Sequence, residues 1–175
     1  VEAATRRNTP ELKAALKEME NVRSRDNPWW RFEATLTGGD PERGRELFLG
    51  HAQAQCVRCH KIQGQGGDVG PDLSRLGAKT DPRQFRQSML EPDAMISPGF
   101  GVVTLALDDG RVLSGTLLKE SDQQLELKTP DGKTHTISQE SVEERTNPKS
   151  PMPAMDKILT PREVRDLVAF LTEQK

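Results

Sequence analysis

The stretch Cys56-Val57-Arg58-Cys59-His60 gathers the most reactive side chains of this 175-residue chain into five positions. Two thiols three positions apart can each add to one vinyl group of a porphyrin. The residue that follows is then held beside the metal, where a neutral imidazole binds. Two other readings compete. Cys-x-x-Cys is also half of a four-ligand zinc site, but the chain has 2 Cys and 3 His, so closing one would need His51, His60 or His135 without a second cysteine pair. A thioredoxin-like redox pair needs a strand before the motif and a long helix opening at it. Here the glycine-rich run Lys61-Ile62-Gln63-Gly64-Gln65-Gly66-Gly67 follows instead.

An iron held by His60 has a second axial position, and the chain has 5 Met to supply it. Ser150-Pro151-Met152-Pro153 sets one of them between two prolines, which restrict the backbone to extended conformations and remove competing amide donors. Such a side chain can project from a loop toward a fixed atom. Met155 is the nearest rival and Met95 a distant one, since an isolated Met is by default core filler.

Taken together, Cys56-x-x-Cys59-His60, the loop Gly70-Pro71-Asp72-Leu73, and Met152-Pro153 before a terminal helix resemble a class I c-type cytochrome. The resemblance implies one haem c, bound covalently through Cys56 and Cys59, with iron ligated by His60 and by the Met152 thioether. It also implies that the Pro71 carbonyl accepts the Nδ1 hydrogen of His60 and so fixes the tautomer whose Nε2 meets iron. Arg75, and with it Lys79, is the expected cation at the haem edge.

The elements that must position these groups begin with clear signals. A capping side chain followed by Pro occurs at Thr9-Pro10, Asp40-Pro41, Asp81-Pro82 and Thr160-Pro161, so four helices are expected to start there. Glu163 completes a capping box with Thr160, and Val164, Leu167, Val168 and Leu171 form one apolar face over 161–173. In the family this face packs on the first helix of the haem domain, here 41–49. Gly44 then lets the backbones approach, with Phe48 and Phe170 near the crossing.

Between the third helix and Met152 the pattern changes to short strands over 102–107, 111–118, 124–128, 134–137 and 142–144. Asp109-Gly110, Ser121-Asp122 and Asp131-Gly132 mark turns between them. This reads as a small antiparallel barrel, similar to SH3-like or Sm-like barrels. The expected fold is therefore α+β: a cytochrome c helical haem domain at 38–98 and 147–175, an inserted β-barrel module at 99–146, and an N-terminal helical extension at 1–37. Because His60 and Met152 must meet one iron, a compact insert with neighbouring ends is expected rather than a floppy loop.

Composition agrees with a core completed by a cofactor, since aromatics are 4% of residues, with no Tyr, and hydrophobics 33%. Net charge is −2, and the segment 99–146 carries five Lys/Arg against nine Asp/Glu with no Tyr or Trp, so nucleic-acid binding is not expected. Residues 56–90 reverse the balance, with six basic side chains against three Asp, which fits haem propionates or an acidic partner. No apolar run is long enough for a membrane span. Asn27-Pro28-Trp29-Trp30 holds both Trp and is expected to anchor the extension to the haem domain.

A wider resemblance covers most of residues 38–175. Gly38-Gly39-Asp40-Pro41-Glu42-Arg43-Gly44, the Cys56–His60 motif, Glu91-Pro92-Asp93-Ala94, Ser97-Pro98-Gly99-Phe100, Asp109-Gly110-Arg111-Val112-Leu113-Ser114-Gly115 and Met152-Pro153 follow in the order of the haem-binding domain of the Pirellula/Verrucomicrobium (planctomycete) type. That family commonly ends long secreted proteins with propeller-type, dehydrogenase-like regions. It implies a redox partner protein or fused dehydrogenase domain, and a tail of a preceding region over 1–37. Haem attachment outside the cytoplasm implies a periplasmic or otherwise extracytoplasmic protein, and the start at Val1 fits a removed leader or a cut fragment. With both axial positions filled, the expected function is one-electron transfer by an electron carrier, not an enzyme. The alternative is a haem-based ligand sensor or peroxidase-like site with an open sixth position; a third reading keeps haem as a structural staple.

Overall fold

A computed structural model of the chain describes residues 9–27 and 29–175. Residues 1–8 and Pro28, which belong to the expected extension 1–37 and its tryptophan anchor, lie outside the described residues. The architecture is α+β. All four capped helix starts are present: α1 (Pro10–Asp26), α2 (Pro41–Gly50), α5 (Pro82–Leu90) and α6 (Pro161–Thr172), with two short helices, α3 (Cys56–Cys59) and α4 (Leu76–Lys79), between α2 and α5. At each long helix the Ncap side chain accepts from first-turn amides: Thr9 from Leu12, Asp40 from Glu42 and Arg43, Asp81 from Arg83, and Thr160 from Glu163. The Thr160–Glu163 box is reciprocal.

The helical core is built on α6, whose Val164, Leu167, Val168, Phe170 and Leu171 are buried against Leu47 and Phe48 of α2, Phe85, Met89 and Leu90 of α5, and Phe32. Each such side chain contributes about 1.5–3 kcal/mol when fully buried. At the α2–α6 crossing the backbones nearly touch, because a Cβ on Gly44 would lie 2.1 Å from the Asp166 carbonyl oxygen. The Phe48 and Phe170 rings meet there at 5.8 Å and 50°. Asp166, 3% exposed, accepts the Asp40 amide at 3.0 Å, so a buried carboxylate ties the start of α2 to α6.

Before α2, a 3₁₀ segment (Trp30–Thr35) buries Trp30 and Phe32. Trp29 Nε1 donates to Glu91 Oε1 at 2.5 Å, and Arg86 Nη1 donates to the Phe32 and Glu33 carbonyls at 3.2 Å each. The Arg23 guanidinium sits 5.6 Å from the Trp30 ring, which links α1 to this segment. The tryptophan pair thus joins the N-terminal part to the helical core.

The glycine-rich run after His60 contains a tight hairpin: β1 (Lys61–Ile62) pairs with β2 (Gln65–Gly66). Gln63 and Gly64 form its turn with φ of 50° and 79°, the backbone such two-residue turns require.

The inserted segment forms five antiparallel strands, β3 (Gly101–Leu107), β4 (Val112–Glu120), β5 (Gln124–Lys128), β6 (Thr134–Ser138) and β7 (Val142–Arg145), in the order β6-β5-β4-β3-β7. Alternate residues of β3 and β5 point inward, with Val103, Leu105, Leu125 and Leu127 at 0% exposure, and Ile137 of β6 joins them at 6%. β6 and β7 are the edges of this antiparallel sheet and share no ladder. A three-residue 3₁₀ turn (Gln139–Ser141) carries the chain between them. Side chains tie that end instead: Gln139 Nε2 donates to Glu120 Oε1 and the Ser121 carbonyl at 3.2 Å each. Arg145 pairs with both Glu120 oxygens, Nη2 lying 3.1 Å from Oε2.

The ends of the insert lie together, as its compactness requires. Val102 and Lys149 form an antiparallel bridge (2.8 and 2.9 Å), and Thr146 N donates to the Thr104 carbonyl at 3.0 Å. The pairing therefore runs on past residue 146, to within three positions of Met152. No helix among the described residues is long and apolar enough to cross a membrane.

Candidate functional site

The Cys56–His60 motif follows α2 through a turn that is itself capped. His51 Nδ1 accepts from the Gln53 and Ala54 amides (3.3 and 3.0 Å), and His51 Nε2 lies 3.7 Å from Glu163 Oε1. His51 is thus a capping group. Gln55, at φ 45° and ψ 42°, then turns the chain into α3, and the His60 amide closes that single turn on the Cys56 carbonyl at 2.9 Å. Both cysteines are free thiols, Cys56 half-buried and Cys59 exposed. Burial pushes the Cys56 thiol above its ordinary range, reinforced by the neighbouring Cys59 and opposed by a backbone hydrogen bond. A four-residue helix that follows a turn is not the strand and long helix of a thioredoxin-type pair. Among the described residues, no three His, Cys, Asp or Glu side chains gather as a metal-holding group.

His60 is fixed on two sides. Its Nδ1 lies 3.0 Å from the Pro71 carbonyl oxygen, which can only accept, so Nδ1 carries the hydrogen and Nε2 keeps its lone pair. Gly70 packs flat on the ring, for a Cβ there would lie 2.6 Å from Cε1 and 2.8 Å from Nδ1. Burial pulls the imidazole below its ordinary value of 6.5, against the smaller opposing effect of the Pro71 hydrogen bond, so the neutral base is favoured. The loop is braced from outside: the Gly70 amide donates to the Cys59 carbonyl at 2.7 Å, Leu73 N to the Lys61 carbonyl at 2.8 Å, and Ser74 Oγ links Asp72 and the Gln63 amide. Lys61 pairs with Asp68, and that hydrogen bond holds the ammonium above its usual range.

These groups open on one cavity of about 230 Å³. Cys56, Cys59, His60, Gly70 and Pro71 form one wall; Leu73, Leu76, Phe85 and Met89 contribute apolar surface; Ile96, Phe100, Met152, Pro153 and Met155 complete it. Val69 and Met95, 59% and 50% exposed, stand at its rim and open it to solvent. Two thiols, a neutral imidazole and a thioether around an apolar hollow are the donor set and the surface that a covalently bound haem needs, so the residues fit that group. A second cleft of about 350 Å³, between Glu42, Arg45, Gln63, Gln65 and Glu173, is larger but carries none of these ligating groups.

The structure brings Cys56, Cys59, His60, Pro71 and Met152 to this cavity and leaves Arg75 and Lys79 outside its lining, both exposed on and beside the short helix α4. His135 is remote, on the edge strand β6. Four of the methionines, Met89, Met95, Met152 and Met155, share the lining. Met89 and Met155 are 7% and 3% exposed and belong to the helical core, whereas Met152 is half-buried on a loop. The sequence reading passed over Met89; its apolar position in a capped helix carried no sign of a shared cavity.

No protein-family model matches this chain, and no curated protein does. Among solved structures, a crystal structure of the pleiotropic translational regulator Hfq matches at 15% identity and a TM-score of 0.26, over 37% of this chain and 95% of that one. At that TM-score the likeness carries no argument about fold or function.

Proposed function

We propose that this chain is a single-haem c-type cytochrome domain, with a cytochrome c-like helical haem unit interrupted by the five-stranded insert, and that it carries one electron at a time between partners. The observation that carries the reading is the shared apolar cavity onto which the Cys56/Cys59 thiols, the Pro71-tethered His60 and the Met152 loop all open. Haem c bound there would supply reversible one-electron exchange at an iron with no vacant ligand position. The residues do the rest. Cys56 and Cys59 would hold the group covalently, His60 presents Nε2 in one tautomer, and Met152 would offer a soft sulfur that favours a reduced metal. Leu73, Leu76, Phe85 and Ile96 line the cavity with apolar surface that would exclude water from the group, and the exposed rim at Val69 and Met95 leaves the cavity open to a partner. The donor is a dehydrogenase region or a soluble redox protein outside the cytoplasm.

The test is maturation in a secretion-competent host that attaches haem c. Mass spectrometry should find one haem per chain, lost when Cys56 and Cys59 are both replaced by Ala. The ferric spectrum should show a Met-to-iron charge-transfer band that Met152→Ala removes. A chain that leaves this host with two unmodified thiols overturns the proposal. A high-spin spectrum that shifts at once with CO or cyanide would instead establish the open sixth position of a sensor or peroxidase-like site.

A further inference from the structure

Resting on the haem reading above, we infer that Asp93 is a positioning residue for the Met152 loop, acting with the first rung of the inserted sheet. Asp93 lies in the link from α5 to β3, far from Met152 in sequence. Its Oδ1 accepts the Ser150 amide at 2.7 Å. Ser150 in turn accepts the Met152 amide on its own Oγ at 3.2 Å, so one carboxylate and one hydroxyl fix the two residues before the thioether. One residue earlier, Lys149 is bridged to Val102 by two backbone hydrogen bonds of 2.8 and 2.9 Å. The loop has no helix or strand of its own between Lys149 and Met155, so these contacts do what an element would do elsewhere.

The arrangement has a direct consequence for ligation. Met152 competes with any external ligand for the same position, and a loop held in the ligating geometry lowers the apparent affinity of the competitor by the population it commits to that geometry. Asp93 is exposed, so its hydrogen bond is a modest one, and its loss should shift that competition by about fivefold. The sheet insert is then more than a spacer, because its first rung and the Asp93 clamp together set where the thioether stands.

The experiment uses the full haem-loaded chain and reads cyanide affinity and the Met-to-iron band. Asp93→Ala should tighten cyanide binding about fivefold and weaken the band, while Asp93→Asn, which keeps the Oδ1 acceptor, should restore both. Ser150→Ala should move both readouts in the same direction as Asp93→Ala. Glu120→Gln, within the insert but away from the loop, should move neither. A merely structural Asp93 would lower the melting temperature and leave cyanide affinity and the band as in the parent, and that result overturns the inference while the haem reading stands. A parent chain that takes up no haem, or shows no Met band, overturns the haem reading itself and the inference with it.

Discussion

At the scale of single residues, the site depends on the different burial of chemically equal groups. Cys56 is half-buried with its thiol pushed up by burial, whereas Cys59 is exposed, and alkylation proceeds through the thiolate. In the unloaded chain, iodoacetamide should therefore label Cys59 several times faster than Cys56, as peptide mass spectrometry over a time course would read; equal rates would contradict the burial seen here. His60 offers a second measurement. Its Nδ1 can only donate to the Pro71 carbonyl, so imidazole nitrogen resonances near neutral pH should report an Nδ1–H tautomer. Gly70→Ala puts a methyl 2.6 Å from the ring, which must swing away, and the same spectrum should then show a mixture of tautomers. A single unchanged tautomer in Gly70→Ala would show that the ring is held by something other than this packing.

At the scale of elements, the α2–α6 crossing is where the fold has least room to adjust. A Cβ on Gly44 would meet the Asp166 carbonyl at 2.1 Å and its carbon at 2.7 Å, both backbone atoms of a helix that cannot yield. Gly44→Ala should cost about 3 kcal/mol, read by denaturant unfolding, whereas Gly50→Ala at the end of the same helix, with nothing within 4 Å, should cost little. Elements of this kind were legible in the chain because their causes are local. A capping oxygen and a Pro mark each long helix, and Asp109-Gly110 and Asp131-Gly132 mark hairpins whose strands are in place within a residue or two. What stayed hidden is set by partners distant in sequence. Nothing local tells that Asp93 meets Ser150, or that Met89, Met95 and Met155 share a wall with Met152. For the site, Cys56, Cys59 and His60 are readable from spacing alone. Arg75 was assigned by its place after Pro71, and spacing in a loop does not fix which way an exposed cation faces.

At the scale of the whole molecule, two hydrophobic clusters share no residue, one on α6 and one inside the sheet, and the chain crosses between them twice. Their response to acid should differ. Among the carboxyls held below their ordinary range, Glu120 closes β4 and Asp109 and Asp131 sit in the turns of the sheet's hairpins, held by hydrogen bonds from Arg145, from Arg111 and from Thr129 with Lys133, while Asp72 lies in the helical part. A carboxyl lowered on folding contributes stability that is complete above its unfolded value, 4.5 for Glu and 3.8 for Asp. That contribution is lost as pH falls through the folded value. All of these groups are largely solvated, so each effect is small and screened by salt, but three of them add in one unit. Native-state hydrogen exchange should therefore show the amides of β3, β4 and β5 losing protection below about pH 4 before those of α2 and α6, with Glu120→Gln flattening the change in the sheet alone. Leu125→Ala, at a fully buried position, should lower sheet protection by about 3 kcal/mol near neutral pH and leave α6 nearly untouched. Equal losses in both sets of amides would mean that the clamps at Asp93–Ser150 and Val102–Lys149 bind sheet and helices into one cooperative unit. The sheet would then be part of the folding core rather than a module set into it.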